Sequence, residues 1–260
     1  MYFFSADRRL ISKTFFNESV SEGAGYCLSS QFCFCAKLIL LIAANKNGRI
    51  NFLIPKSYNF APVKKLRMRQ IAIFSSGAGS NAKKIIDHLL SQKEKSISTP
   101  VVSLIVCNKP GAGVLKIAEE NNIPTLLIEK EKFFRGNAYM DELKAANIDF
   151  IILAGFLWMV PAALIKAFHG KMINIHPALL PKYGGKGMYG NFVHEAVIAN
   201  KEKESGITIH YVDEVYDHGQ IILQATCLVS EDDNPETLAK KVQVLEHRHF
   251  PAAVSLLATL

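Results

Sequence analysis

The feature that most constrains the fold of this chain is a regular alternation of apolar runs and helical patterns that begins near Met68. The apolar runs are short and rich in branched residues, as in buried strands, and the segments between them carry apolar side chains at helical spacing. Strands that alternate with crossover helices pair in parallel, and the helices then cover the sheet. The sequence therefore predicts an α/β fold: a doubly wound, Rossmann-like, mostly parallel sheet with helices on both faces.

The predicted elements follow one another closely, except at one long glycine-rich loop over residues 177–190. The last two predicted strands are candidates for an antiparallel pair. The predicted strands are Ile71–Ser76, Val101–Cys107, Thr125–Ile128, Phe150–Ala154, Met172–Ile175, Ile207–Val212 and Gln220–Val229. The predicted helices are Ala82–Leu90, Val114–Asn121, Asn137–Ala146, Pro161–Phe168 and Pro235–Leu257, with Pro161 expected at a first helical position.

The net charge of the chain is confined to its first quarter. The 260 residues include 30 Lys and Arg against 23 Asp and Glu, which gives a formal charge of +7. Ten of the basic residues and three of the acidic residues precede Met68, so residues 68–260 are neutral overall. A basic balance often indicates a nucleic-acid partner, but an excess restricted to one segment gives no reason to expect one here.

Residues 1–67 also lack sustained strand or helix periodicity. We therefore expect an N-terminal extension, 1–67, outside the main fold, and one domain, 68–260. Our first interpretation of the extension is upstream sequence translated from a start site chosen too early, in a cytoplasmic protein. The second is an organellar transit peptide. The longest apolar run, residues 32–44, is too short for a membrane helix and contains Lys37, so no membrane partner is expected.

A glycine loop follows the first predicted strand and opens the first predicted helix. Its residues, Gly77 to Ala82, fit the pattern G-x-G-x-x-A, in which a ligand approaches the backbone and the free N–H groups of the helix terminus bind an anion. A dinucleotide site needs an acidic residue after the second strand, where this chain has Asn108 and Lys109. Ser80 and Asn81 add side-chain donors, which favours the phosphate of a smaller substrate. A tight turn without a ligand is the alternative.

Asn174 and His176 occupy alternate positions at the end of a predicted strand, and hence share one side of it. The carboxyl ends of parallel strands border the ligand crevice in open α/β sheets. An amide and an imidazole there suit acyl transfer, in which one stabilises an oxyanion and the other moves a proton. Asp217 either orients His176 or forms a plain Asx turn. The alternative for His176 is a buried histidine without a catalytic role.

Five segments of the chain occur in an order typical of one enzyme family: Ser76–Asn81, Ala154–Phe156, Asn174–Lys182, Asp217–Ile222 and Glu246–His247. From about Met68 to its end, the chain resembles the phosphoribosylglycinamide formyltransferases, the folate-dependent enzymes of purine biosynthesis. The string Asn-x-His-Pro-x-Leu-Leu-Pro with a later Asp-x-Gly is specific to formyltransferase-type folds. The resemblance makes residues 68–260 the expected catalytic domain.

The resemblance implies transfer of the formyl group of 10-formyltetrahydrofolate, the co-substrate, to the amine of glycinamide ribonucleotide on the de novo route to IMP. The expected partners are these two small molecules, and the expected assembly is a monomer or weak homodimer. No metal is expected, because His247 and His249 lie on other helix faces than Glu246. Two alternatives stay open: a formyltetrahydrofolate hydrolase, and a non-catalytic nucleotide-binding module.

The resemblance also implies a role for each site residue. Asn174, His176 and Asp217 are the expected catalytic residues, with Asp217 favouring a protonated His176. Glu246 is expected to contact the glycinamide group, unless it is an exposed helix carboxylate. Many relatives have Arg where this chain has Trp158, so the folate contact there must differ, by stacking or by simple packing of the indole. The expected phosphate-binding residues are Gly79, Ser80 and Asn81, and the expected folate-binding residues are Arg135, Leu157, Trp158, Met159, Val160 and Asn174.

Overall fold

In the computed structural model the chain divides into two units, Met1–Lys65 and Leu66–Leu260. The structure describes residues 68–93 and 99–259, and the backbone of residues 41–44 and 50–53. In the first unit, β1 (Leu41–Ala44) and β2 (Ile50–Leu53) pair antiparallel. The expectation that residues 1–67 form an extension otherwise falls outside the described residues and stays a prediction.

The second unit is built on a seven-stranded sheet with the strand order β5-β4-β3-β6-β7-β8-β9. The first five of these strands pair in parallel, and β8 and β9 pair antiparallel with their neighbours. The predicted fold class is confirmed, as is the antiparallel pair. The strands are β3 (Gln70–Phe74), β4 (Val101–Cys107), β5 (Thr125–Leu127), β6 (Phe150–Leu153), β7 (Met172–His176), β8 (Glu204–Tyr211) and β9 (Ile221–Leu228).

Helices connect and cover these strands. Those of the described residues are α1 (Ser80–Lys93), α2 (Gly113–Glu120), α3 (Lys130–Arg135), α4 (Met140–Ala145), α5 (Ala162–Ala167), α6 (Asn191–Ala199) and α7 (Pro235–Leu257). The sequence prediction does not contain α3 or α6. Pro161 is the N-cap of α5 and not its first residue, because its ψ of 140° is still extended.

Both faces of the sheet are buried, which explains why its central strands are apolar without alternation. In β3, Ile71 and Ile73 pack into one core cluster with residues of α1, α2 and α7. Ala72 and Phe74 point to the other side and pack into a second cluster with residues of α3, α4 and α5. The two clusters hold the carboxyl ends of the central strands in fixed positions.

The order of the strands places a ligand crevice beside β3. The strands β4 and β5 lie on one side of β3, and β6 and β7 lie on the other. At such a switch point the loops that leave the carboxyl ends of neighbouring strands diverge, and ligands bind between them. The loops after β3, β6 and β7 all leave the sheet at this edge. Across residues 68–93 and 99–259, no helix combines the length and apolar character that crossing a membrane requires.

Candidate active site

A cavity of about 640 Å³ opens at this edge of the sheet. Its volume is within the range of small-molecule sites in proteins. The loops after β6 and β7, the loop between β8 and β9, and helices α1, α6 and α7 all contribute to its wall. Most of the site residues expected from the sequence line it: Asn81, Leu157, Trp158, Met159, Val160, Asn174, His176, Asp217 and Glu246.

Asn174, His176 and Asp217 meet in the cavity at the end of β7. Asn174 Nδ2 donates to Asp217 Oδ1 at 3.5 Å, and His176 Nδ1 lies 3.5 Å from Asp217 Oδ2. His176 Nε2 donates to the carbonyl oxygen of Tyr183 at 2.7 Å, since a carbonyl oxygen only accepts. The side chains of His176 and Asp217 are 5% and 10% exposed. The structure therefore brings the three expected catalytic residues together, in a part of the cavity that is largely shielded from water.

The amide of Asn174 is held by a second partner, His210. His210 Nδ1 donates to the carbonyl of Tyr211 at 2.8 Å, so its Nε2 is left as an acceptor. Asn174 Nδ2 donates to this Nε2 at 3.1 Å. One N–H of the amide is thus firmly bound. The other points to Asp217 at 3.5 Å, the longest distance at which a hydrogen bond is useful, and is the one that a ligand can take over.

The protonation of His176 differs from the expectation. Burial lowers the pKa of His176 below its ordinary value, while the Asp217 carboxylate and the Tyr183 carbonyl raise it by less. Asp217 therefore acts in the expected direction, but the expected outcome, a protonated imidazole, is not met in the free protein. At neutral pH His176 is a neutral imidazole, because the free-energy cost of burying its charge exceeds the stabilisation that the Asp217 carboxylate provides.

Asp217 acts across the fold and does not form a local Asx turn. Its Oδ2 accepts from the backbone N–H of Gly185 at 2.9 Å, whereas Asp213 accepts a backbone N–H two residues further on at 2.9 Å. Burial raises the pKa of Asp217, but His210, His176 and the Gly185 amide together outweigh this effect and lower it below its ordinary value. The carboxylate is therefore charged at neutral pH and ties the Gly-rich loop to the site.

The glycine loop has the backbone that its sequence predicts. Gly79 has a φ of +79°, and a Cβ atom there would lie 2.8 Å from Val114, so only glycine fits. Helix α1 begins at the next residue and has no acidic residue in its first turn. Ser80 Oγ accepts from Gln243 Nε2 at 3.4 Å. Asn81 lines the cavity, whereas Gly79 and Ser80 lie at the helix terminus beside its wall.

Glu246 reaches the glycine loop from helix α7. Its Oε2 accepts from Asn81 Nδ2 at 2.8 Å. Burial raises the pKa of Glu246 above its ordinary value, and the bond from Asn81 lowers it by less. The side chain lines the cavity and is not the exposed helix carboxylate of the alternative interpretation. Asn81 Oδ1 is buried and has no hydrogen-bond partner in the described part of the chain.

The segment 157–160 forms an apolar wall on the other side of the cavity. Leu157 and Met159 are 53% and 41% exposed. Across the mouth, Val215 and Tyr216 of the loop before β9 are 59% and 41% exposed. Large apolar side chains that remain exposed on both sides of a cavity indicate a surface that an apolar ligand covers.

Trp158 is held mainly by aromatic neighbours. Its ring centroid lies 5.8 Å from that of Phe133, 5.7 Å from Phe134 and 6.3 Å from Phe156. The cluster continues to Phe74, whose centroid is 5.3 Å from that of Phe156. Such pairs stabilise a fold beyond the area that they bury. The packing interpretation of Trp158 therefore accounts for these contacts, although the residue also lines the cavity.

Arg135 is not brought to the site. It lies at the end of α3, and its guanidinium pairs with Glu131 at 2.8 Å with 79% of the side chain exposed. It does not belong to the cavity wall. Its expected contact with the far end of a folate stays a prediction.

Several polar residues of the wall are missing from the sequence prediction, among them His194, His210 and Gln243. His210 is paired with Asn174 across β7 and β8, and the sequence does not reveal that register. Gln243 precedes Glu246 by three residues on α7, so helical spacing alone could have found it. His194 is on α6, which is not in the prediction. Among residues 68–93 and 99–259, no group of His, Cys, Asp or Glu side chains is arranged to hold a metal ion.

Comparison with known sequences adds to this geometry. Residues 69–254 match the family described as formyl transferase. The chain is 40% identical over 193 residues to phosphoribosylglycinamide formyltransferase, chloroplastic, from Arabidopsis thaliana, which is 72% of this chain and 65% of that protein. It is 35% identical over 197 residues to phosphoribosylglycinamide formyltransferase from Bacillus subtilis, which is 74% of this chain and 96% of that protein.

Solved structures show the same similarity. A phosphoribosylglycinamide formyltransferase from Bacillus halodurans is 38% identical, with 73% of this chain and 95% of that chain covered and a TM-score of 0.65. Glycinamide ribonucleotide transformylase 1 from Geobacillus kaustophilus is 31% identical, with 74% and 100% covered and a TM-score of 0.65. The chain spans 65% and 62% of the length of two curated plant relatives, from Arabidopsis thaliana and Vigna unguiculata.

Proposed function

Because the chain belongs to the formyl transferase family, we propose that it transfers the formyl group of 10-formyltetrahydrofolate to the amine of glycinamide ribonucleotide, a step of de novo purine biosynthesis. Relatives named phosphoribosylglycinamide formyltransferase support this proposal. One observation carries it. The acyl-transfer residues Asn174, His176 and Asp217 line the same cavity as Asn81 and Glu246 beside a helix terminus.

The helix terminus of α1 is the proposed phosphate site. Its first N–H groups have no partner within the helix and carry the positive end of the helix dipole. The loop at Gly79 lets a ligand approach the backbone, and Ser80 and Asn81 add polar side chains. No acidic residue of the first turn opposes an anion there. The helix terminus can therefore bind a phosphate locally, although residues 68–260 carry no net charge.

Asn174 is the proposed oxyanion donor. The substrate amine attacks the formyl carbon, and the carbonyl oxygen becomes negatively charged in the tetrahedral intermediate. The amide N–H that is held only at 3.5 Å by Asp217 can turn to this oxygen, while the bond to His210 keeps the amide in place. A fixed donor in a shielded site needs no reorganisation when the charge forms, which is why such donors accelerate acyl transfer.

His176 is the proposed proton carrier. It begins neutral, with a hydrogen on Nε2 and none on Nδ1, and the charged Asp217 lies 3.5 Å from Nδ1. The negative charge of the intermediate raises the pKa of the imidazole, so His176 takes up the proton that the amine loses and then stabilises the oxyanion as a cation. The proton passes to N10 of the folate as the bond between N10 and the formyl carbon breaks.

The apolar wall of residues 157–160 is the proposed folate side of the cavity. A pterin and a benzoyl ring would cover the exposed side chains of Leu157, Met159, Val215 and Tyr216. Folate is a co-substrate in this reaction, and no metal is part of the proposal. Trp158 would meet the folate only with the part of its ring that the phenylalanines leave free.

The decisive experiment measures folate product with and without the amine. Purified full-length protein is mixed with 10-formyltetrahydrofolate, and tetrahydrofolate formation is followed by absorbance in the presence and absence of glycinamide ribonucleotide. We expect turnover only with the amine, and loss of turnover in His176→Asn. Equal turnover without the amine, with release of formate, would establish the hydrolase instead. Binding of both ligands without any turnover would establish the nucleotide-binding module.

We also propose a cytoplasmic location, with an organellar location as the alternative if residues 1–67 are a transit peptide. The two plant relatives are named chloroplastic, which fits the alternative. The intact mass of the protein from its native source shows whether residues 1–67 are present in the mature protein. Both interpretations of this segment, an early start site and a transit peptide, predict that they are absent. A mature chain that begins near Met68 is expected, and a full chain of 28.8 kDa would contradict both.

A further inference from the structure

His194 is the most deeply buried polar side chain of the cavity wall that the proposed mechanism does not use. It lies on α6, is 5% exposed and lines the cavity. Its Nδ1 is buried and has no hydrogen-bond partner in the described part of the chain. Buried polar atoms are almost always hydrogen-bonded in native proteins, so an unpartnered ring nitrogen on a side chain that lines a ligand cavity needs an explanation.

The neighbours of His194 place it on one side of the cavity. Helix α6 packs against α7, the helix that carries Gln243 and Glu246. A charge on His176 lowers the pKa of His194, so the two imidazoles lie within electrostatic reach of each other. His194 therefore lies within electrostatic reach of the reaction centre, on a helix that packs against α7.

The ionisation of His194 limits the groups that it can bind. Burial, and then the charge on His176, lower its pKa below the ordinary value, so the ring is neutral at neutral pH. A neutral imidazole has one donor and one acceptor. It is a poor partner for a phosphate dianion, which favours cations and several N–H groups, but it matches a hydroxyl or an amide group.

We propose that His194 binds a hydroxyl or amide group of the ribosylglycinamide part of the substrate, between the phosphate and the reacting amine. This inference rests on the proposed function and names one of the residues that recognise its amine substrate. His194 is a binding residue in this account, and it takes no part in proton transfer. The bound substrate supplies the hydrogen bond that the buried ring lacks.

The test compares two apolar variants, His194→Phe and His194→Leu, with the polar variant His194→Gln. Loss of one neutral hydrogen bond should raise KM for glycinamide ribonucleotide by roughly threefold to tenfold in the apolar variants. KM for 10-formyltetrahydrofolate and kcat should change by less than about twofold, because the contact is made equally in ground and transition states. His194→Gln should recover most of the affinity, which a purely structural role would not predict.

His247→Phe is the matched control. His247 is partly buried and, like His194, has a ring nitrogen that lacks a partner in the described residues, but it lies outside the cavity wall. The His247→Phe variant should leave the KM values for both substrates unchanged. Calorimetric titration of each variant with glycinamide ribonucleotide alone, without folate, measures binding independently of turnover. If wild-type protein binds the ribonucleotide but transfers no formyl group, the proposed function fails while the His194 contact is still measured.

Three outcomes would overturn the assignment of His194. The first is an unchanged affinity for the ribonucleotide in either apolar variant. The second is an equal loss of affinity for both substrates, which would indicate general damage to the cavity. The third is a His194→Gln variant as weak as His194→Phe, since the polar side chain would then bring no recovery.

Discussion

The two sides of the cavity differ in how much of their structure exists before a ligand arrives. At the end of β7, the side chains of His176 and Asp217 are largely buried and shifted in pKa, and Asn174 donates a hydrogen bond to Asp217. Along the wall after β6, Leu157 and Met159 are about half exposed. The first side is organised in advance, and the second side completes its packing only on binding.

This contrast assigns the two sides different energetic roles. A preorganised polar centre acts on charge that appears only in the transition state, and so it contributes to kcat. An exposed apolar wall gains the same contact with the substrate and with the transition state, and so it contributes to KM. Substitutions on the two sides should therefore separate the two kinetic constants.

The largest effect is expected for Asn174→Ala. Removing one oxyanion donor should lower kcat by roughly 10²–10³. The KM values should change little, because the amide N–H reaches the oxygen only in the tetrahedral intermediate. Steady-state kinetics with both substrates saturating measures the effect. A kcat within about threefold of wild type, or roughly 0.65 kcal/mol, would remove Asn174 from the oxyanion role.

A smaller effect is expected for Asp217→Asn. The amide removes the negative charge that raises the pKa of His176, so this pKa should fall further below its ordinary value of 6.5. kcat should fall by about tenfold or more, because the imidazole takes up the amine proton less readily. NMR titration of the His176 ring in the free protein gives the direction of the shift. An increase of this pKa in the variant would contradict the electrostatic account.

On the apolar side, Leu157→Ala should raise KM for 10-formyltetrahydrofolate by roughly fivefold, since about 1 kcal/mol of apolar contact is lost. kcat and KM for the ribonucleotide should stay near their wild-type values. Leu90→Ala is the matched control, because Leu90 is also 53% exposed but lies outside the cavity wall. A fall in kcat without a change in KM would break the distinction between the two sides.

The smallest effect concerns stability. Burial lowers the pKa of His176 and His194 in the folded state, so near and below pH 6.5 the unfolded chain binds more protons than the folded one. The free energy of unfolding should therefore be highest above pH 6.5 and fall as the pH drops towards the folded-state pKa values. Chemical denaturation at several pH values measures this slope. His194→Gln should make it shallower, and an unchanged slope would contradict a neutral, buried His194.

The sequence predicts the frame of this site better than its electrostatics. The apolar strands and the glycine loop carry local signals, so the sheet, α1 and the position of Asn174 and His176 at a strand end follow from them. Helix α7 agrees with its prediction at both ends. Helix α3 has six residues and one buried side chain, Phe133, which is too short for a periodic pattern.

The features that the sequence does not predict depend on tertiary packing. The neutral state of His176 follows from its burial, and a sequence shows only that a carboxylate is available to it. His210 enters the site through the register of β7 with β8, and His194 enters through a helix that follows the glycine-rich loop. Arg135 shows the converse case, in which a residue assigned by resemblance lies on the exposed end of α3.

The fate of the formyl group tests the central claim most directly. 10-Formyltetrahydrofolate labelled with ¹³C in the formyl group is incubated with the protein and glycinamide ribonucleotide, and the label is followed by NMR. We predict that the label moves to the glycine amine nitrogen and appears in the formamide group of formylglycinamide ribonucleotide. Asn174→Ala should slow this transfer by roughly 10²–10³. Label that appears as free formate, at a rate independent of the amine, would contradict it.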